Sequence, residues 1–188
     1  MSLIEYVGPT GSGKTTEVIS ILKKNKNIIS GRKVLKDKHN RLNYTFLIIN
    51  NFPTLIKGSL KDLILAKCFI FDCSLPFKKK ITIAIFFFIL LVKTRLLVAS
   101  KDLFIIDQGL HQFLLTSVSN KFINFKNFMK WRKNFIHNKE YLAQELRFKK
   151  NSFKKIKKNI RSSKKHIKHK MMSDDFIKKQ IYYLEKII

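Results

Sequence analysis

The stretch Gly8-Pro9-Thr10-Gly11-Ser12-Gly13-Lys14-Thr15-Thr16 decides how the rest of the chain is interpreted. Its glycines allow a tight turn that brings backbone N–H groups to a phosphate, and its lysine reaches the β- and γ-phosphates. The apolar run Leu3–Val7 before it predicts a buried strand, and the apolar spacing in Lys14–Lys24 predicts a helix. A helix N-terminus favours bound anions. The stretch therefore predicts a phosphate-binding loop for a nucleoside triphosphate, ATP or GTP. Every residue from Gly8 to Thr16 is expected to take part in binding the nucleotide.

A magnesium ion that accompanies the nucleotide needs hard oxygen ligands. The hydroxyl of Thr15 is one, and an aspartate at the end of an apolar strand is the expected partner. Asp107 follows Leu-Phe-Ile-Ile and precedes a turn-forming Gln-Gly pair, whereas the competitor Asp72 follows Cys-Phe-Ile-Phe. We favour Asp107 over Asp72 as the magnesium partner. The alternative for Asp107 is that it is a capping aspartate with no metal role.

Alternating strand and helix patterns predict an α/β fold with a parallel sheet. Strands are predicted at Leu3–Val7, Lys33–Leu35, Tyr44–Ile49 and Leu103–Asp107. Helices are predicted at Lys14–Lys24, Thr54–Phe71, Ile81–Val92 and Gly109–Ser119. A turn is expected at Ser30-Gly31, an interruption of the second helix at Gly58, and a break at Ser74–Pro76.

The run Ile81–Val92 is the most apolar stretch of the chain. It is shorter than the roughly 20 residues that cross a membrane. A longer span would place Lys93 and Arg95 in the bilayer, which is costly. A buried helix is therefore favoured over a membrane-inserted segment. We expect no transmembrane span, no secretory leader and a cytoplasmic protein.

The chain is expected to have a nucleotide-binding core over residues 1–120 and a basic helical extension or lid of the same domain over residues 121–188. Arg147–Lys170 contains no acidic residue, which suits either a solvated basic helix or a disordered tail. Asp174–Ile188 is amphipathic, with Ser173 as a plausible N-cap. Core packing is favoured over a stacking platform for the aromatic and methionine side chains Phe122, Phe125, Phe128 and Met129.

The formal net charge is +27, from 39 Lys and Arg against 12 Asp and Glu. This charge attracts anions such as nucleotides, nucleic acid or an acidic membrane face. Lys, Ile, Asn and Phe are all frequent in the chain and share A/T-rich codons, so an A/T-rich gene would also produce this charge. The charge therefore supports a nucleic-acid partner only weakly. Cys68 and Cys73 are expected to be buried and reduced, with a disulfide as the alternative and no zinc site.

The loop together with Ile-Ile-Asp-Gln-Gly-Leu-His-Gln at residues 105–112 resembles the P-loop nucleoside and nucleotide kinases. It is similar in particular to thymidylate-kinase-like proteins, some of them encoded in bacterial surface-polysaccharide clusters. The likeness covers about the first 115 residues and implies a three-layer P-loop fold. It also implies that Gln108 and Gly109 face the γ-phosphate or the acceptor. It further implies a C-terminal lid whose arginines clamp the transferred phosphoryl group. The candidates for these arginines are Arg132, Arg147 and Arg161.

Two functions fit the sequence. The first is a kinase that transfers the γ-phosphoryl group of ATP to a small acceptor such as a nucleoside, nucleotide or sugar. Its catalytic candidates are Lys14, Asp107, Gln108 and Asp37. The alternative for Asp37 is that it is an ordinary turn residue. The second is an ATPase that couples hydrolysis to nucleic acid or a partner protein through its basic C-terminal region. A GTPase base-reading motif and an ABC signature are both missing from the sequence.

Overall fold

The computed structural model describes residues 3–31, 52–100, 102–141, 143, 145–162 and 173–188. The strands predicted at 33–35 and 44–49 lie outside these residues, as does Asp37. The described strands are β1 Leu3–Val7, β2 Ile28–Ser30, β3 Leu103–Ile106 and β4 Glu145–Phe148. The described helices are α1 Lys14–Lys24, α2 Phe52–Asp72, α3 Phe77–Ala99, α4 Leu110–Ser119, α5 Phe125–His137, α6 Phe153–Ser162 and α7 Asp174–Glu185.

The four strands form one parallel sheet in the order β2-β3-β1-β4. The strand that leads into the glycine-rich stretch is therefore central, with β3 on one side and β4 on the other. Glu5 of β1 is in register with Ile106 of β3, which brings the ends of these two strands close together. Because parallel strands share their carboxyl edge, the segments after β1, β3 and β4 emerge side by side.

Apolar side chains cover the sheet on both faces. Ile4 and Tyr6 of β1 pack with Ile105 and with Val18 of α1 on one face. On the other face, Leu3 packs with Phe104, Ile106 and Leu97 of α3. A larger aromatic core joins α2, α3, α4, α5 and α7, with Phe69, Phe87, Trp131 and Phe135 at its centre. Strand alternation and helical periodicity account for both layers, since each element buries one side.

Several predicted elements are confirmed. Strand β1 and helix α1 have the predicted bounds, the apolar run at residues 81–92 is helical, and α4 follows β3 as expected. Helix α7 is also confirmed, and the side chain of Ser173 accepts a hydrogen bond from the N–H of Phe176 at 3.2 Å. Phe128 lies in the core, where it stacks with the half-exposed Phe125.

Three sequence-based expectations were wrong. The turn expected at Ser30-Gly31 is wrong at Ser30, which is the last residue of strand β2 and pairs with Ile105 of β3. The basic segment contains strand β4, whose apolar Leu146 and Phe148 pack on the core beside β1. Of the two cysteines, Cys73 is buried but Cys68 is exposed, and both are free thiols.

Gly58 does not interrupt α2, which was the fourth wrong expectation. A β-carbon at this position would collide with the guanidinium of Arg95, so the glycine makes room for that side chain. Arg95 donates to the carboxylate of Asp62, which also accepts the hydroxyl of Tyr141. Asp62 is completely buried, and burial raises its pKa and that of Tyr141. This network fixes α2 against α3.

Replacing Arg95 by Met should destabilise the protein by about 3–5 kcal/mol, because it leaves a buried carboxylate without its cation. Urea unfolding followed by circular dichroism measures this loss. The matched control is Lys61→Met, which removes the exposed partner of Glu140 and should cost roughly 1 kcal/mol or less. Equal unfolding free energies for the two variants would contradict the assigned role of the network.

Candidate functional site

The carboxyl edge of the sheet opens into a cleft of about 1280 Å³. We call it the loop cleft. Its walls come from the segment after β1, the start of α1, the segment after β3, part of α4, and the basic segment that follows β4. Ligands of open parallel sheets bind at this edge. All the residues from Thr10 to Thr16 line the cleft, as do Asp107 and Gln108.

The glycine-rich stretch adopts a loop that only glycine tolerates at two points. Gly11 and Gly13 have φ angles of 80° and 87°, in the left-handed region. Gly11 has a second constraint, because a β-carbon there would lie 2.7 Å from Cγ1 of Ile160. The N–H of Ser12 closes the turn onto the carbonyl of Pro9 at 3.1 Å, and α1 begins at Lys14. The first turn of α1 thus points unpaired N–H groups towards the cleft.

Lys14 folds back across its own loop. Its Nζ donates to the carbonyl oxygens of Gly8 at 2.6 Å and Pro9 at 2.9 Å. Burial lowers the pKa of this ammonium group to about 8, and the negative charge of Asp107 partly opposes the change. The group therefore titrates near neutral pH, and an incoming phosphate would favour its charged form.

The hydroxyl of Thr15 donates a hydrogen bond to Oδ2 of Asp107. These two side chains reach each other because β1 and β3 are neighbours and both end at the cleft. Asp72, the competing candidate, ends helix α2 rather than a strand. Its carboxylate accepts from Nε1 of Trp131 at 2.7 Å and from Nζ of Lys130 at 3.0 Å. The geometry therefore excludes Asp72 from the cleft.

The Thr15 hydroxyl and the Asp107 carboxylate are hard oxygen donors of the kind that Mg²⁺ prefers. Such ions are usually held by one or two protein oxygens, with phosphates and water completing the octahedron. The pair thus fits a nucleotide-bound magnesium ion. No group of three or more His, Cys, Asp or Glu side chains suited to a metal occurs in the described part of the chain.

The segment after Asp107 owes its shape to Glu5. This carboxylate is buried in the middle of β1 and lies directly against Gly109, where a side chain would collide with it. It accepts the backbone N–H of Gln112 at 2.9 Å and contacts Nδ1 of His111 at 3.1 Å. A carboxylate of β1 that lies at the N-terminus of α4 also suits the helix dipole. Gln108 is exposed to the cleft.

Gln112 connects this segment to the glycine-rich loop. Its Oε1 accepts the backbone N–H of Gly8 at 2.9 Å, in a buried hydrogen bond. The chain of contacts therefore runs from Glu5 through Gln112 to the first glycine of the loop. These contacts fix the loop relative to Asp107, which begins the turn that leads from β3 into α4.

Three amides from the C-terminal segment hold the outer side of the loop. Nδ2 of Asn151 donates to the carbonyl of Ser12 at 2.7 Å, and Nδ2 of Asn159 donates to that of Gly11 at 3.0 Å. The N–H of Thr10 donates to Oε1 of Gln180 at 2.9 Å. Helices α6 and α7 thus form a cap on the loop. These residues were not identified from the sequence, because their only signal is a scattered amide in a lysine-rich stretch.

Two of the three arginines considered as lid residues have described side chains, and neither of them lines the cleft. Arg132 donates to the carbonyl of Ile187 at 2.8 Å, and Arg147 pairs with Glu145 and the hydroxyl of Tyr6. The side chain of Arg161 lies outside the description. Two lysines line the cleft besides Lys14. Lys149 is paired with Glu17, and Lys155 reaches the cleft from α6.

Comparisons with protein-family models, with curated proteins and with solved structures found no match for this chain.

Nucleotide affinity should fall as the pH rises through the Lys14 pKa of about 8. Bound phosphates interact with the charged ammonium, so above this pKa binding must first take up a proton. The dissociation constant of a fluorescent ATP analogue should then rise by up to about tenfold per pH unit. Lys14→Ala should bind weakly and lose this dependence. The same pH slope in the variant would assign the titration to another group.

Proposed function

We propose that this protein binds a nucleoside triphosphate with magnesium in the loop cleft and transfers the γ-phosphoryl group to a small acceptor. The observation that carries the proposal is the contact between the Thr15 hydroxyl and the Asp107 carboxylate, beside the lysine of the loop. A glycine loop alone is a structural motif. A loop with a paired oxygen site at its helix N-terminus is suited to a metal–phosphate ligand.

The residues of the cleft have separate tasks in this proposal. Lys14 would leave the carbonyls of Gly8 and Pro9 and neutralise the β- and γ-phosphates, while the N–H groups at the start of α1 hold the same oxygens. Thr15 and Asp107 would hold magnesium, which supplies charge neutralisation when bound. Gln108, which is exposed in the cleft, would contact the γ-phosphate or the acceptor. Catalysis of this kind is positioning and electrostatics.

The finer fold assignment belongs to the same proposal. We infer a three-layer P-loop fold, with α1 on one face of the sheet and α3 and α4 on the other. The parallel order β2-β3-β1-β4 and the loop between β1 and α1 support it. The thymidylate-kinase-like resemblance of the two motifs supports a kinase rather than a general nucleotide-binding protein.

Lys155 is our candidate for the cation that faces the transferred phosphoryl group. It lines the cleft from α6, the helix that caps the phosphate-binding loop, and its side chain is exposed. Developing charge on a transferred phosphoryl group is stabilised by a cation in this position. A lysine acts there as a point charge rather than as a bidentate clamp.

An ATPase coupled to an anionic partner is the second candidate. The observation that favours it is that Asn151 and Asn159, in the basic segment, hold the loop carbonyls. A polyanion bound to the surrounding lysines would therefore act directly on the loop. Mass-spectrometric detection of products from a panel of nucleosides, nucleotides and sugars, with and without DNA or RNA, separates the candidates. Stimulation by nucleic acid with no phosphorylated product would refute the kinase.

Magnesium dependence tests the oxygen pair. Asp107→Asn should raise the magnesium concentration needed for half-maximal turnover by about tenfold or more, since the removed charge is a principal attraction for the ion. Nucleotide binding without magnesium should not weaken, because a negative charge near the phosphates is also lost. Asp72→Asn is the matched control and should leave both quantities unchanged. An identical magnesium curve for wild type and Asp107→Asn would contradict the assignment.

Lys155→Gln should reduce turnover by about tenfold or more with little change in ATP affinity, because the charge is needed most in the transition state. Lys158→Gln, an exposed residue of the same helix outside the cleft lining, is the control of equal charge. Steady-state kinetics measure both. Equal turnover in the two variants would remove Lys155 from the site.

A further inference from the structure

Helices α2 and α3 pack into an antiparallel hairpin whose outer side is apolar. Their inner sides are buried, through Ala66 and Phe69 on α2 and Phe87 and Leu91 on α3. The outer side presents large apolar side chains that are 42–76% exposed. We call this the hairpin face, and its main residues are Leu60, Leu63, Phe71, Phe77, Ile85 and Ile89.

The spacing of these residues shows that they form stripes rather than isolated side chains. Positions 60, 64 and 71 on α2, and 77, 81, 85 and 89 on α3, are apolar and follow the four- and seven-residue steps of a helix surface, with Lys67 between the apolar positions of α2. The stripes lie opposite the buried sides of their helices. Contiguous exposed apolar surface of this kind marks an interaction site.

Basic residues border the hairpin face. Lys78, Lys79 and Lys80 open α3, and Lys67 lies on α2 between Leu63 and Phe71, whereas Lys61 of α2 is paired with Glu140. The acidic residues of the described hairpin are already engaged, since Asp62 is buried with Arg95 and Asp72 pairs with Lys130. An apolar stripe with a basic border is the pattern of a surface that inserts into an anionic bilayer interface.

The charge also argues against a second copy of the chain as the occupant. Each copy carries a net charge of +27, and two such surfaces would repel each other across the face. An anionic lipid surface would instead neutralise the lysine border.

The core argues against a membrane-spanning hairpin. Helix α3 is the one helix in the described ranges that is long and apolar enough to cross a membrane, and 39% of its most apolar window is buried in the protein. Its Arg95 is paired with the buried Asp62, and its Phe87 is in contact with Phe69 and Trp131. Spanning would break these contacts and expose a charge to lipid.

We propose that the hairpin face docks this protein on the surface of a bilayer that contains anionic lipid. The apolar stripes enter the interface, the lysines contact the headgroups, and the inner sides of both helices stay on the core. Since α3 also supplies Phe86 and Leu90 to the loop cleft, docking would hold the cleft close to the membrane. The proposal is independent of the reaction in the cleft.

Vesicle flotation of the full chain tests the docking. We expect binding to vesicles of phosphatidylcholine with phosphatidylglycerol, much weaker binding to phosphatidylcholine alone, and partial resistance to high salt. The variant Phe71→Gln/Ile85→Gln should lower partitioning by about tenfold. The matched control, Ile19→Gln/Ile188→Gln, changes exposed isoleucines outside the face and should bind like wild type. Equal loss, or no loss, in both variants would overturn the proposal.

The lysine border is tested with a charge-matched pair. Lys78→Gln/Lys79→Gln/Lys80→Gln should weaken binding to anionic vesicles more than Lys23→Gln/Lys24→Gln/Lys26→Gln, which removes the same charge from the end of α1. Equal effects would mean attraction by net charge alone and would overturn docking through the hairpin. Circular dichroism and nucleotide binding establish that each variant is folded.

Cys68 provides a direct readout of the interface. It is exposed on α2, whereas burial raises the pKa of the Cys73 thiol to about 11, so a thiol reagent should label Cys68 selectively. A polarity-sensitive fluorophore at Cys68 should shift to the blue with anionic vesicles. No shift during flotation, a need for detergent to release the protein at alkaline pH, or a dimer that Phe71→Gln/Ile85→Gln dissociates would each contradict surface docking.

Discussion

The pairing of β1 with both β3 and β4 is the constraint on which the site depends. A central parallel strand places its own carboxyl end between those of its neighbours, so three segments meet at one cleft. The glycine-rich loop follows β1, Asp107 follows β3, and Lys149 with the capping helix α6 follows β4. If β1 were an edge strand, the loop would lose either its oxygen partner or its cap.

Polar contacts then hold the loop in place from both sides. On the inner side, the buried Glu5 accepts a hydrogen bond from the backbone N–H of Gln112 at the start of α4. The side chain of Gln112 in turn accepts one from the backbone N–H of Gly8. On the outer side, amides from the C-terminal segment bind the carbonyls of Gly11 and Ser12. Buried polar groups of this kind are stabilising only when they are paired. They fix the loop independently of Lys14, whose ammonium is bonded to the carbonyls of Gly8 and Pro9.

The sequence predicted the elements whose signals are local. The strand–loop–helix unit and the pairing of Thr15 with an acid at the end of an apolar strand depend on short patterns. Strand β4 was missed because its alternation of polar and apolar residues extends over only four positions beside a lysine-rich segment, and pairing with β1 makes them a strand. Gly58 was misread because its role depends on Arg95, which is distant in sequence. Glu5 was the one available signal for the Gln112 contact, since a charge in a buried strand requires a partner.

The proposed occupant of the loop cleft is a magnesium–nucleoside triphosphate. A crystal structure of the chain with magnesium and a non-hydrolysable ATP analogue tests this proposal most directly. We expect magnesium about 2.1 Å from Oγ1 of Thr15, with Asp107 bound to it directly or through water. We also expect that Nζ of Lys14 leaves the carbonyls of Gly8 and Pro9 for the phosphates. A nucleotide bound elsewhere, or Lys14 still bonded to its own loop beside bound phosphates, would contradict it.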